Sequence, residues 1–162
     1  AADKEYVARV CLGVCTDSYD RDGAVVERSD YVPTREEVEG VLGAFQGRVS
    51  QVPPMFSAKK VGGKKLYDLA RRGIEIEREP VVVELKTELV HYEYPLLDLR
   101  VSCSKGTYIR TIAYDVGRLL GCGAHVRELV RLRSGPYRLE ECMPQEALSC
   151  LEFDLQPYFR SC

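Results

Sequence analysis

Ser102–Leu120, SCSKGTYIRTIAYDVGRLL, opens with Ser102, Ser104, Lys105 and Gly106 and then turns at once into apolar residues three and four apart: Ile109, Ile112, Ala113, Val116, Leu119 and Leu120. This spacing predicts an amphipathic helix, and Gly121 supplies a left-handed position to end it. Immediately before it, Leu97, Leu99 and Val101 alternate with Asp98 and Arg100, which predicts a strand over 96–101. Lys105, Thr107, Tyr108 and Arg110 therefore sit where a strand hands over to a helix. At such a junction backbone N–H groups and cations can converge on an anion or a planar ring.

Working outward, the pattern upstream is β-like: Ile74 and Ile76, then Val81 to Tyr92, separated from the next strand by Pro95 and from the previous one by Pro80. Downstream, Val126 to Arg133 reads as another strand or an extended edge, with Val126, Glu128, Val130 and Leu132 alternating against Arg127, Leu129, Arg131 and Arg133. At the other end of the chain, Lys4 to Cys15 alternates as a strand, and Asp17 to Gly23 is an Asp-rich turn. Ala24 to Arg28 returns to complete a hairpin. Thr34 with Glu37 forms a capping box for a helix whose apolar face is Val38, Val41, Leu42 and Phe45. Pro53 and Pro54 fix an extended segment, Gly62 and Gly63 make a turn, and Leu66 to Arg72 reads as a short helix ended by Gly73. Pro144 opens a last short helix. Strands mixed with helices that do not alternate regularly predict an α+β fold, a mixed, largely antiparallel central sheet flanked by helices.

A chain of 162 residues suits one domain with a core of its own. Seven cysteines, an odd number with no C-x-x-C pair, fit reduced thiols in the cytoplasm better than a disulfide framework or a zinc site. His91 and His125 are far apart and lack metal-ligand spacing, so neither a metal nor an organic cofactor is expected. No apolar run approaches the roughly 20 residues of a membrane span. The net charge of −2 would not by itself suggest nucleic acid, but the charges are segregated. Lys59, Lys60, Lys64, Lys65, Arg71 and Arg72 stand against a single Asp68, a stripe whose local field a polyanion feels. SKGT at 104–107 lacks the spacing of a nucleotide phosphate loop.

Four stretches carry a resemblance: KEYVARVCLGVCTDSYDRDG, QVPPMFSAKKVGGKKLYDLARRG, SKGTYIRTIAYDVG and LGCGAHVRELVRLRSGPY. Together they resemble, in order and spacing, the bacterial tRNA pseudouridine synthase B family, which isomerises a uridine in the T-loop of tRNA. The resemblance covers about Lys4 to Leu148. It implies a catalytic domain over 1–150 that lacks its N-terminal part, with 151–162 starting a C-terminal extension. The family's catalytic aspartate lies in a G-H-T-G-T-L-D-P segment upstream of K-x-Y, and that segment is not among these residues. None of Asp17, Asp20, Asp68, Asp98 or Asp115 lies in the motif, so the chain is expected to be inactive until the segment is supplied.

The chemistry implied by the resemblance assigns roles to residues. The target base must leave its stack and be held in a pocket. Tyr6, of K-x-Y, would take or relay the C5 proton, and as a phenol with a reference pKa near 10 it would need help to act as a base. Tyr108 would stack on the flipped ring. Arg110 would orient the upstream aspartate and keep it ionised, and would be an unpaired cation without it. Leu129 would line the pocket and exclude water. Lys105, Ser57, Lys59, Lys60, Lys64 and Tyr67 would meet the tRNA. A monomer is expected, with tRNA as its partner. The alternative is a non-enzymatic RNA-binding module that keeps the stacking pocket.

Overall fold

The structure is a computed structural model and describes residues 4–57, 59–134 and 137–138. Its centre is strand β1, Lys4–Leu12. Two short strands follow, β2 (Val14–Thr16) and β3 (Val25–Arg28), which pair antiparallel with each other as a separate hairpin. The single strand expected over 4–15 is thus two strands, divided at Gly13. That residue has φ +88, donates its N–H to the Gly123 carbonyl at 2.9 Å, and accepts at 2.9 Å from Ser29, a pivot for which glycine has the freedom.

Helix α1 (Arg35–Leu42) begins with the expected reciprocal cap: Thr34 Oγ1 accepts from the Glu37 N–H and the Glu37 carboxylate accepts from the Thr34 N–H, both at 3.1 Å. A single 3₁₀ turn, Gly43–Phe45, continues it. Strand β4 (Gly47–Gln51) follows and was not foreseen. The turn at Gly62–Gly63 joins two-residue strands β5 (Lys60–Val61) and β6 (Lys64–Lys65), and helix α2 is Leu66–Arg71. Ile74 and Ile76 form no strand. The Ile74 N–H closes onto the Leu69 carbonyl at 2.9 Å, and Ile76 packs with Met55, Leu66 and Leu69 in a small satellite core. Strands β7 (Val81–Glu93) and β8 (Leu96–Cys103) lead into helix α3 (Ile109–Leu120), which ends at Gly121 in the left-handed region as expected. Strand β9 (Ala124–Ser134) and β10 (Tyr137–Arg138) complete the described chain. The expected helix at Pro144 lies outside the described residues.

The main sheet has the order β10-β9-β1-β8-β7-β4, and each of these pairings is antiparallel. β9 is therefore an inner strand rather than an edge. The face that carries Tyr6, Ala8 and Val10 on β1 and Leu97, Leu99 and Val101 on β8 packs against α1 and α3 in one core. Leu97, Leu99, Val101, Val116 and Val38 are all fully buried, each stabilising the fold by about 1.5–3 kcal/mol before entropy is counted. The other face carries charge. Arg9 stands directly opposite Asp98 and grips it with two bonds of 2.9 and 3.0 Å, while Arg100 Nε donates to Glu5 at 2.6 Å. Asp98 and Glu5 are 3% and 6% exposed, so pairing is what makes their burial tolerable.

Helix α3 lies close against the start of β9 because Gly117 has no side chain. A Cβ there would sit 2.3 Å from the Ala124 nitrogen, and the Gly117 carbonyl accepts from both Cys122 and Gly123. Among the described residues no helix is long and apolar enough to cross a membrane.

Candidate active site

Arg110, in the first turn of α3, is placed against local preference, since a helix N-terminus already carries partial positive charge and no acidic residue stands in that turn. Its surroundings compensate. Nη1 donates to the Ser18 carbonyl at 2.9 Å and Nη2 to the Phe56 carbonyl at 2.7 Å, and the Asp20 carboxylate lies 3.7 Å away. Arg110 is therefore not the unpaired cation expected from the sequence. Two carbonyls from distant segments fix the plane of the guanidinium, which stays 26% exposed.

The turn that supplies Ser18 and Asp20 is braced from within. Thr16 Oγ1 donates to the Asp20 carbonyl at 2.5 Å, Ser18 Oγ to Asp20 Oδ1 at 2.6 Å, and the Asp22 N–H to the same carboxylate at 3.1 Å. Tyr19 stacks on Tyr114 of α3, ring centroids 4.1 Å apart and 13° from parallel. Burial is the main cause that pushes the Tyr19 phenol above its ordinary pKa.

Tyr108 immediately precedes α3 and is held by Gln51, the last residue of β4. The Tyr108 N–H donates to Gln51 Oε1 at 2.9 Å and Gln51 Nε2 donates back to the Tyr108 carbonyl at 3.1 Å. Gln51 is 2% exposed, so this two-way grip replaces water on that peptide. At the other side of β4, Gln46 grips the Thr87 backbone in the same manner, through bonds of 2.6 and 3.1 Å. The site and the sheet are thus pinned by two glutamines, one just before β4 and one at its end.

Leu129 and Arg110 line a common hollow of about 390 Å³, together with Asp20, Asp22, Arg127 and Glu128. The pairing of β1 with β9 slips between Arg9 and Val10, so that Val10 faces Val126 while Ala8 faces Leu129. The slip brings Val126 and Leu129 to one face of the sheet, although strict alternation would separate them. Leu129 is 43% exposed, unusual for a leucine in an inner strand.

Tyr6 pairs with Arg131 on β9, next to the Ala8–Leu129 pair and on the same face. The Arg131 guanidinium lies 5.5 Å from the centre of its ring. The phenol is 8% exposed and does not border the hollow that Arg110 and Leu129 share. Arg110, Leu129 and, through its backbone position, Tyr108 are therefore brought together. Tyr6 stands two residues further along β1.

The basic stripe is exposed on α2 and the β5–β6 hairpin. Lys60, Lys64, Lys65, Arg71 and Arg72 face solvent and Lys59 is half-buried. The Arg71 guanidinium covers the Tyr67 ring at 4.3 Å and donates to its hydroxyl, and Phe56 meets the same ring edge-on. Lys105 is exposed beside the start of α3. Ser57 is buried, with its hydroxyl shielded from solvent; its carbonyl accepts from the Tyr67 N–H at 2.8 Å. Of the two histidines, His125 is buried with Nδ1 2.8 Å from the Val14 carbonyl, and His91 is exposed, 3.5 Å from Glu93. Sequence reasoning missed Asp20 and Gln51. Asp20 lay hidden in what looked like an ordinary hairpin turn, and the available cue was that Thr16, Asp17, Ser18, Asp20 and Asp22 offer more acceptors than a turn needs.

Comparison with known proteins gives this geometry a family. The family model described as TruB family pseudouridylate synthase (N terminal domain) matches residues 1–109, and that described as tRNA pseudouridylate synthase B C-terminal domain matches 110–154. The junction between the two matches falls just before Arg110, inside one continuous core, since α3 and β9 pack with β1. The chain is 52% identical over 158 residues to the tRNA pseudouridine synthase B of Chlamydia abortus, covering 98% of this chain and 67% of that protein. It is 57% identical over 142 residues to the protein of the same name from Protochlamydia amoebophila, covering 88% and 54%. The chain thus spans between about half and two thirds of these relatives' length. Among solved structures it is similar to a chain of a Cbf5-Nop10-Gar1 complex, with TM-score 0.60, 25% identity, and coverage of 97% of this chain and 38% of that one. The same fold occurs in an H/ACA RNP bound to a substrate RNA containing 2'-deoxyuridine, with TM-score 0.54, 22% identity, and coverage of 98% and 37%. On the breadth of these matches, the chain belongs to the TruB family of pseudouridylate synthases.

Proposed function

We propose that this chain forms most of the catalytic domain of a tRNA uridine isomerase, acting in the cytoplasm as a monomer without metal or organic cofactor. The observation that carries the reading is the Arg110 guanidinium, fixed by two carbonyls and Asp20 in a hollow that Leu129 also lines. The reaction breaks a uridine's N-glycosidic bond, turns the base, joins C5 to the sugar and removes the C5 proton. An ionised carboxylate is needed at the sugar. Arg110 and the N–H groups at the start of α3 form a seat for that carboxylate, and a guanidinium fork both orients it and keeps it charged.

Asp20 is not that carboxylate in our reading. Its Oδ1 accepts from Ser18 and Asp22 within its own turn and its Oδ2 lies 3.7 Å from Arg110 of α3, so it serves to hold the guanidinium. The nucleophile is supplied by the G-H-T-G-T-L-D-P segment, which is not among these 162 residues. Tyr108 stacks on the flipped uracil, Leu129 lines its pocket, and Tyr6, with the Arg131 cation beside its ring and set back from the hollow, takes the C5 proton by relay through water. Lys105 and the stripe formed by Lys59, Lys60, Lys64, Arg71 and Arg72 meet the phosphates of the T-loop. Tyr67 joins them under its Arg71 cover, whereas Ser57 shapes the segment through its backbone. In this reading residues 1–150 belong to the catalytic domain without its N-terminal part.

The test is pseudouridine formation in a T-loop RNA, with the chain alone and with the upstream segment added. Turnover is expected only in the second arm. Substantial turnover by the lone chain would show that the nucleophile lies within these residues. RNA binding that weakens with salt but produces no pseudouridine in either arm would replace the enzyme with an RNA-binding module.

A further inference from the structure

We propose that the Tyr19–Tyr114 stack is a positioning device for Arg110, an inference that rests on Arg110 working in the isomerisation. Helix α3 grips the turn at 16–23 at two points one helical turn apart. Arg110 bonds the Ser18 carbonyl and approaches Asp20, and four residues on, Tyr114 takes the Tyr19 ring at 4.1 Å. Tyr19 is thus flanked in sequence by two of the three residues that hold the guanidinium, the third being Phe56.

Tyr19 has φ +67 and is the one non-glycine residue with positive φ among those described. Any residue with a Cβ is disfavoured there, and glycine, asparagine or aspartate is what a simple turn selects. The reversed backbone at Tyr19 is held by its N–H on the Thr16 carbonyl at 3.3 Å, by its carbonyl accepting from Val126 at 2.9 Å, and by the ring seated on Tyr114. In this conformation Ser18 and Asp20 both reach Arg110. Neither tyrosine borders the hollow that Arg110 and Leu129 share; both line a separate one of about 360 Å³. They act on the reaction through Arg110 and touch no substrate.

The experiment uses the chain supplied with the upstream segment and a T-loop RNA. Stacked aromatic pairs have a worth that corresponds to about 2- to 10-fold in an equilibrium or a rate. Tyr114→Ala is expected to lower kcat by about that factor with KM within about twofold, and Tyr114→Phe, which keeps the ring, to restore it. In an Arg110→Lys background Tyr114→Ala should add almost nothing, because the group it positions is gone. Unchanged kcat, an effect confined to KM, or full additivity with Arg110→Lys would overturn the proposal. A second readout needs no turnover: the Nε–H resonance of Arg110 should report slow guanidinium rotation in the wild type and fast rotation in Tyr114→Leu. The same slow rotation in both would overturn the proposal, even if Tyr114→Ala fails to fold. Absence of pseudouridine with the wild-type chain counts against the isomerase reading alone, and the Arg110 resonance still decides the role of the stack.

Discussion

Arg110→Met is expected to lower the rate of uridine isomerisation by about 10²- to 10³-fold in single-turnover reactions with the upstream segment present, the usual loss when one preorganised polar group is taken from a charged transition state. Methionine keeps most of the aliphatic stem, so packing at the start of α3 is largely preserved. What disappears is the fork that bonds the Ser18 and Phe56 carbonyls and faces Asp20. A second consequence follows from the charges left behind. With the guanidinium gone, Asp20 would repel the incoming carboxylate, and the pKa of the nucleophile would rise. The pH–rate profile of the variant should therefore have its acidic limb displaced to higher pH, because the reactive form is the ionised one. Arg110→Lys keeps a cation but cannot span two carbonyls, and should recover only part of the loss. A rate for Arg110→Met within threefold of the wild type would remove Arg110 from the reaction.

The largest expected stability effect is at the other end of the same core. Leu99→Ala should destabilise the fold by about 2–5 kcal/mol, lowering the melting temperature by roughly 4–20 °C for a chain of this size. Leu99 is fully buried, lies between Ala8 on β1 and Leu89 on β7, and shares its core with Ile112 and Val116 of α3. A main chain held by strand neighbours on both sides cannot collapse into the space left behind. Leu129→Ala is the contrast: at 43% exposure it should cost less than about 1 kcal/mol while impairing turnover. Thermal melts of the two variants check the pair, and equal losses would contradict the division of leucines between core and site.

Particular elements explain what the sequence made legible. α3 was legible because its period is unbroken from Ile109 to Leu120 and its last turn ends on a glycine. β8 was legible because Leu97, Leu99 and Val101 face a packed core while Asp98 and Arg100 face partners of opposite charge. β4 was not: an edge strand reading Gly-Arg-Val-Ser-Gln has one half-buried apolar side chain, and its stability comes from pairing with β7 and from two glutamine amides, neither of which leaves a periodic trace. In β9 the slips in register at Arg127 and Leu132 mix the two faces, so alternation alone put Leu129 with the wrong neighbours. The Tyr108–Arg110 junction could be read from its residue types. Asp20 could not, because its role arises only when a turn 90 residues upstream is brought against α3.

Isomerisation in this reading takes place in one hollow, the one that Arg110 and Leu129 line. A structure of the chain with its upstream segment and a T-loop RNA tests it most directly. The predicted result is a uridine turned out of its stack into that hollow, Tyr108 against its face, and a carboxylate of the added segment on the Arg110 guanidinium. A bound RNA whose target base lies elsewhere, with Arg110 contacting neither base nor carboxylate, would contradict it.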